Sequence, residues 1–214
     1  MRISRVLLGL VAFSLAAFDS FAEGQPPGEQ TESHSLANTE VPGDSLFRLD
    51  VQLETADDRT VAFSSLRGRP LLISLFYSQC SSVCPMTVAE LQTLERSVPP
   101  QARENLTVLL ISLDAARDTP AALTEFMQQH HIGGPHWMVA RASASDVRLL
   151  AAALGVRYRE LPDHTFNHST VITLTDSEGI IQARADGWQA VDAGFIEKVR
   201  SIGAAKAATR PDHG

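Results

Sequence analysis

Two nearly unbroken apolar runs, residues 71–77 and 106–113, constrain the fold more than any other feature of the sequence. A strand that is apolar along its whole length is covered on both faces, as in the parallel sheets of α/β proteins. Helix signals follow each run: Pro85 fits a first helical turn, and Thr119 followed by Pro120 is typical of a helix start. Buried strands that alternate with helices predict an α/β fold, a three-layer sandwich with a mixed central sheet.

Weaker patterns predict the remaining elements. Residues 47–53 alternate apolar and polar side chains, which favours a half-exposed strand. A turn at residues 176–179 separates two apolar stretches and predicts a terminal β-hairpin. The other predicted elements are a helix ending near residue 131, a short strand at 137–139, a helix at 143–154 and a last helix at 191–202.

The N-terminal segment predicts export. Two arginines precede an apolar run of 13 residues, 6–18, and a small-x-small cleavage pattern ends at Ala22. This arrangement is typical of a secretory signal peptide, and the run is shorter than the roughly 20 residues of a membrane span. We expect residues 1–22 to be a signal peptide and the protein to be periplasmic. An uncleaved N-terminal membrane anchor is the alternative.

The rest of the chain predicts one domain with loose ends. Residues 23–45 are rich in Gly, Pro, Ser, Thr and Glu and are expected to form a flexible leader. The folded domain is expected at 46–203, followed by a loose tail at 204–214. The acidic balance, with a formal charge of −7 for the whole chain, does not favour nucleic acid or an anionic membrane surface but tolerates metal ions. Nothing in the sequence requires more than a monomer.

The two cysteines, Cys80 and Cys84, form the candidate reactive site. A bridge across so short a loop contributes little loop-closure entropy, so the pair is a poor structural staple. At a helix N-terminus both sulfurs face one side, and the partial positive charge there favours thiolate. Two thiolates select copper(I) or zinc, and an imidazole is the usual third ligand. An ordinary disulfide or an inert buried pair remains open at this point.

Three segments, in this order, resemble the Sco/SenC family of copper-binding thioredoxin-fold proteins: residues 68–85, which carry the C-x-x-x-C pair; residues 111–120, which end in D-T-P; and residues 166–179. The resemblance covers roughly residues 47–202 and implies a thioredoxin-like fold. It implies a copper ion held by Cys80, Cys84 and His168. It also implies copper delivery to the dinuclear copper centre of cytochrome c oxidase, or to another exported cuproprotein, and reduction of that centre's cysteines.

Two positions depart from the family pattern. Many members have an acidic residue where this chain has Ser82, and many have Asp where it has Asn167. Both changes remove negative charge near the proposed ion, which predicts either a preference for copper(I) over copper(II) or a thiol-redox role with a weaker demand for metal. His164, four residues before His168, is the rival histidine ligand.

The leading interpretation is a metallochaperone, which is not an enzyme. The alternative is a periplasmic thiol–disulfide oxidoreductase acting on the cysteines of a copper-site protein. In that role Cys80 is the attacking thiolate and Cys84 the resolving thiol, and the two form a redox-active pair. The spacing of three residues between them, where thioredoxins have two, disfavours a general oxidoreductase.

Overall fold

A seven-stranded mixed sheet forms the centre of the computed structural model, which describes residues 41–80, 83–187 and 191–207. The order across the sheet is β2-β1-β5-β4-β3-β8-β9, and β6 and β7 form a separate two-stranded ribbon. The strands are β1 (Gln52–Thr55), β2 (Thr60–Ala62), β3 (Leu71–Phe76), β4 (Thr107–Ser112), β5 (Trp137–Arg141), β6 (Tyr158–Glu160), β7 (Phe166–His168), β8 (Val171–Thr175) and β9 (Ile181–Asp186).

Helices cover both faces of this sheet. They are α1 (Val83–Ser97), α2 (Pro100–Arg103), α3 (Pro120–Gln129), α4 (Ala144–Ala153) and α5 (Ala193–Ala207), with 3-10 helices at Leu46–Arg48 and Phe63–Leu66. Thr119 and Ser143 cap α3 and α4 through side-chain oxygens that accept backbone N–H groups.

Two buried clusters lie on opposite sides of the sheet. Along β3, Leu72 and Phe76 pack with α1, α2, α3 and α5, whereas Leu71, Ile73 and Leu75 pack with α4 and the 3-10 helices. Alternate residues of a strand point to opposite faces, so a strand that is apolar throughout joins both clusters. The predicted three-layer α/β sandwich is confirmed.

The pairing of β3 with its neighbours determines which loop segments meet at the edge of the sheet. β3 runs parallel to β4, with Leu71 opposite Thr107, and antiparallel to β8, with Ser74 opposite Ile172. β8 and β9 form the predicted terminal hairpin. The segment that follows β3 and the segment that precedes β8 therefore emerge at the same edge of the sheet.

The strand expected at residues 47–53 was wrong over most of its length. Its first part is the 3-10 helix Leu46–Arg48, because the Ser45 side chain accepts the Phe47 N–H and caps that turn. Only the segment from Gln52 onward is extended, in β1. The alternation in the sequence instead reflects separate apolar side chains that each reach the buried cluster, among them Phe47, Val51 and Leu53.

Some described structure lies just outside the expected domain, residues 46–203. Ser45, placed in the leader, is buried and donates a hydrogen bond to the Glu178 carbonyl. Helix α5 continues to Ala207, beyond the expected helix end at 202 and the expected domain end at 203. The predicted signal peptide 1–22, the leader up to residue 40 and the tail from 208 lie outside the described residues. In the part of the chain that is described, no helix has the length and apolar character needed to cross a membrane.

Gly179, in the turn of the β8–β9 hairpin, is expected to tolerate no side chain. Its φ is +79°, and an added Cβ would lie 2.6 Å from Cδ2 of Phe47. We expect Gly179→Ala to lower the free energy of unfolding by roughly 1–3 kcal/mol in denaturant titrations. Gly133→Ala is the matched control, since an added Cβ there meets nothing within 4 Å. Equal effects of the two substitutions would contradict this account.

Candidate metal centre

The two cysteines lie where β3 gives way to α1. Cys80 sits in a turn before the helix, with its N–H donating to the Tyr77 carbonyl at 3.2 Å, and Cys84 lies in the first described turn of α1. Of the two cysteines, only Cys84 therefore lies in the described part of the helix. The chain brings the pair together: the Cys84 N–H donates to Cys80 Sγ at 3.4 Å. An N–H from the start of a helix directed at a sulfur favours negative charge on that sulfur.

Both cysteines are buried free thiols. Cys80 is 7% exposed and Cys84 is 1% exposed. The side-chain hydrogen bond between the Cys84 thiol and the Cys80 sulfur, followed by burial, raises the pKa of the Cys84 thiol well above its ordinary value of 9.0. A proton is therefore held on Cys84 in the metal-free protein, and binding of a metal ion through both sulfurs would release it.

The two-stranded ribbon β6–β7 carries His168. Tyr158 lies opposite His168 in this ribbon, and Arg157 and Ser169 extend the pairing, since the Ser169 N–H donates to the Arg157 carbonyl at 2.8 Å. Sequence patterns did not predict this ribbon, because strands of three residues carry too little periodicity. The ribbon leads directly into β8, which fixes His168 at the sheet edge where the cysteines lie.

The structure brings together the three residues that the sequence singled out. His168 Nε2 lies 3.9 Å from Cys84 Sγ, and the ligand atoms of Cys80, Cys84 and His168 all lie within 4.8 Å of one another. The other ring nitrogen, Nδ1, donates to the Ser169 carbonyl at 3.2 Å. That hydrogen bond fixes the tautomer in which Nε2 carries a lone pair, as a metal ligand requires.

Aromatic side chains hold the imidazole in place. The Tyr77 ring meets the His168 ring edge-on with centroids 6.0 Å apart, and it packs on Phe166 at 5.3 Å. Tyr77 is buried, and its burial together with negative charge on Cys80 raises the pKa of its phenol above the ordinary value of 10.0. The site is therefore walled by apolar rings, which keeps bulk water from the sulfurs.

Asp118 anchors the cysteine loop, a role that the sequence did not reveal. Its carboxylate is completely buried and accepts hydrogen bonds from the Ser78 N–H at 3.0 Å, from the Ser78 hydroxyl and from the Ser112 hydroxyl. Two signals were available in the sequence: the D-T-P segment and the serine two residues before Cys80. Neither signal indicates that Asp118 and this serine meet in three dimensions.

His164 does not reach the metal centre. Its side chain is 70% exposed and its Nδ1 lies 2.8 Å from Glu160 Oε1. The backbone of His164 is left-handed, with φ of 64°, which directs the side chain outward at the turn between β6 and β7. Within 41–80, 83–187 and 191–207, Cys80, Cys84 and His168 are the only group of His, Cys, Asp or Glu side chains arranged to hold a metal ion.

Of the two positions that depart from the family pattern, the structure describes Asn167 but not Ser82. Asn167 lies on β7 directly before His168 and is exposed. Ser82 lies outside the described residues. The inference that both changes favour copper(I) therefore stays a prediction.

Residues 41–202 match the family model described as SCO1/SenC. The chain belongs to the SCO1/SenC family. It is 28% identical over 152 residues to a Stutzerimonas stutzeri protein that is named for copper binding, covering 65% of this chain and 73% of that protein. The family assignment confirms the resemblance drawn from the three sequence segments.

Two solved structures show the same fold. Copper-bound ScoI of Bradyrhizobium japonicum is 22% identical with a TM-score of 0.61, over 71% of this chain and 96% of that one. BsSco, described as a member of the Sco family of cytochrome c oxidase assembly proteins with a disulfide switch, is 17% identical with a TM-score of 0.60, over 74% and 92%. At these identities the likeness establishes the thioredoxin-like fold that the resemblance implied.

The raised pKa values of Cys84 and Tyr77 predict that the metal-free, reduced protein loses stability at alkaline pH. In the unfolded chain these groups ionise near 9.0 and 10.0, whereas the folded chain retains their protons. The stabilisation is therefore fully present below about pH 9 and declines as the pH rises above it. Urea unfolding at neutral pH and at about pH 10 measures this decline.

Cys84→Ser should make that decline smaller, because it removes one of the two shifted groups. A free energy of unfolding that stays constant or rises between the two pH values would contradict the placement of the proton on Cys84.

Asp118→Asn should destabilise the protein and loosen the cysteine loop. The asparagine side chain keeps one oxygen acceptor, but its N–H₂ group faces a donor group of a serine. Ser78 and Ser112 therefore lose a hydrogen-bond acceptor. We expect a loss of roughly 2–3 kcal/mol in the free energy of unfolding. Asp50→Asn, at an exposed position, is the control and should change it by less than about 0.5 kcal/mol. Similar losses in the two variants would contradict the anchoring role.

Proposed function

We propose that this protein binds one copper ion through Cys80, Cys84 and His168. The observation that carries the proposal is the convergence of their two sulfurs and one imidazole nitrogen within 4.8 Å. Two thiolates and a neutral imidazole are soft to borderline donors, which suit copper(I) and tolerate copper(II). The copper-binding names of the Stutzerimonas protein and of the copper-bound ScoI structure support this choice over zinc.

We propose that the bound copper is cargo for another protein, so that the chain acts as a metallochaperone. The cysteines are buried, whereas His168 is half-buried on a ribbon at the edge of the fold. An incoming ligand from a partner can therefore replace the imidazole first, while the two sulfurs retain the ion. The partner is the copper-site subunit of cytochrome c oxidase or another exported cuproprotein, in line with the assembly role stated for BsSco.

The compartment and assembly state belong to the same proposal. We infer that the protein is exported to the periplasm by its signal peptide, and that it remains free of the membrane once that peptide is removed. One chain supplies all three ligands, so a monomer is sufficient for binding and delivery.

A second candidate function is thiol–disulfide exchange on the cysteines of a copper-site protein. The two cysteines differ in a way that favours this function. The Cys80 sulfur accepts a hydrogen bond from the Cys84 N–H, whereas the Cys84 thiol retains its proton. Cys80 would attack a partner's disulfide to form a mixed disulfide, and Cys84 would then displace the partner's thiol. The dithiol is oxidised to a disulfide as the partner's disulfide is reduced to two thiols. The disulfide switch named for BsSco supports this candidate.

Anaerobic titration of the reduced protein with copper(I), in competition with a chromogenic chelator, tests the metal site. We expect one equivalent bound by the native chain and a loss of affinity of at least about tenfold in His168→Ala, since one of three ligands is removed. His164→Ala is the matched control, because that imidazole lies in the same segment but outside the site, and it should bind like the native chain. An affinity unchanged by His168→Ala would contradict the ligand set.

The same variants distinguish the two candidate functions. His168→Ala should retain dithiol exchange with a model disulfide, whereas Cys84→Ser should lose both exchange and tight copper binding. If His168→Ala abolishes exchange as fully as Cys84→Ser does, the separation of the roles is wrong.

A further inference from the structure

The outer face of the β6–β7 ribbon carries a cluster that copper binding does not use. Residues directly opposite each other in an antiparallel pair share a face, so Arg159 and Asn167 lie on the face opposite to Tyr158 and His168. Arg157, two residues before Arg159, lies on the same outer face, where its N–H is bonded to the Ser169 hydroxyl at 3.0 Å. We call Arg157, Arg159, Asn167 and Ser169 the ribbon face.

A cavity of about 380 Å³ opens at the ribbon face and borders His168. It is lined by the four ribbon-face residues together with Tyr158 and His168. None of these lining residues is a carboxylate, and the outer ones offer guanidinium, amide and hydroxyl donors. A pocket of this composition is suited to an anion rather than to a cation or an apolar group.

The two arginines are exposed, and their charges are not neutralised by the described part of the chain. Neither Arg157 nor Arg159 lies within 4.0 Å of a described carboxylate, whereas Arg117 contacts Asp114 and Glu160. Glu160, the neighbour of Arg159 in sequence, lies on the other face of the ribbon and contacts Arg117 and His164. The guanidinium groups of the ribbon face are therefore available to a partner.

The negative charge of the chain as a whole makes the ribbon face the preferred contact for an acidic partner. The chain has a formal charge of −7, so its net charge repels an acidic partner. Attraction at one cationic face steers such a partner to that face and fixes its orientation. Arginine forks bind carboxylates bidentately, which adds geometric specificity to the attraction.

We propose that the ribbon face docks an acidic segment of the protein that receives the copper. This inference rests on the proposed function and adds the chemistry of the partner. The carboxylates of the segment contact Arg157 and Arg159, and the segment fills the cavity that His168 also lines. Docking thereby places the partner beside the ligand that is exchanged first.

The test uses a hexa-aspartate peptide as the probe and the full, reduced chain as the receptor. Binding is followed by backbone amide NMR shifts at low and at physiological salt. We expect shifts centred on residues 157–159 and 167–169, with an affinity that falls steeply as salt is added. The double variant Arg157→Gln, Arg159→Gln should lose at least about tenfold in affinity, the equivalent of two charge-assisted contacts.

The control variant is Arg69→Gln, Arg96→Gln, which makes the same change in net charge. Arg69 precedes β3 and Arg96 lies in the last turn of α1, so both lie at the opposite end of the sheet from the cysteines, and both are exposed. This variant should bind the peptide like the native chain. An equal loss in both double variants would show attraction by net charge alone and overturn the proposal.

Two further outcomes also overturn it. One is the absence of peptide binding at low salt. The other is binding of citrate or inorganic phosphate as strong as that of the peptide, which would make the cavity a site for a free anion. Copper stoichiometry of the native chain is measured separately, so failure of the docking face and failure of the proposed copper function are distinguishable.

Discussion

The antiparallel pairing of β3 with β8 is the constraint on which the rest of the site depends. Ser74 lies opposite Ile172 in this pair, so the end of one strand and the start of the other lie at the same sheet edge. The cysteine loop follows β3 and His168 precedes β8. Residues that are 84 positions apart in the chain, Cys84 and His168, are thereby brought within 3.9 Å. Because β3 is central and buried on both faces, that edge is held rigidly.

Around this edge, the surroundings prepare the three ligand atoms before any metal binds. The buried carboxylate of Asp118 holds the loop before Cys80, and the first described turn of α1 directs an N–H at the Cys80 sulfur. The Ser169 carbonyl orients the imidazole, and Tyr77 restricts its tilt. Preorganisation of this kind reduces the entropy lost on binding. The same burial that favours a soft ion makes the metal-free thiol of Cys84 hard to ionise.

Much of the fold was predictable because it rests on local signals. The buried runs identified β3 and β4, and the capping residue Thr119 identified the start of α3. The ribbon β6–β7 was missed because its strands of three residues depend on contacts with the rest of the fold rather than on periodicity. The anchoring role of Asp118 was missed for the same reason, since it depends on two serines that meet it only in three dimensions. The site residues were found from chemistry and family resemblance, whereas their mutual distances required the β3–β8 register.

X-ray absorption at the copper edge, recorded on the chain loaded with one equivalent of copper(I), tests whether Cys80, Cys84 and His168 bind the ion. The measurement reports the number and type of atoms bonded to the ion, independently of affinity or delivery. We expect a shell of two sulfurs and one imidazole nitrogen, with the imidazole signature absent from His168→Ala. A shell without sulfur, or an imidazole signature that persists in His168→Ala, would contradict the claim that the β3–β8 pairing builds the copper site.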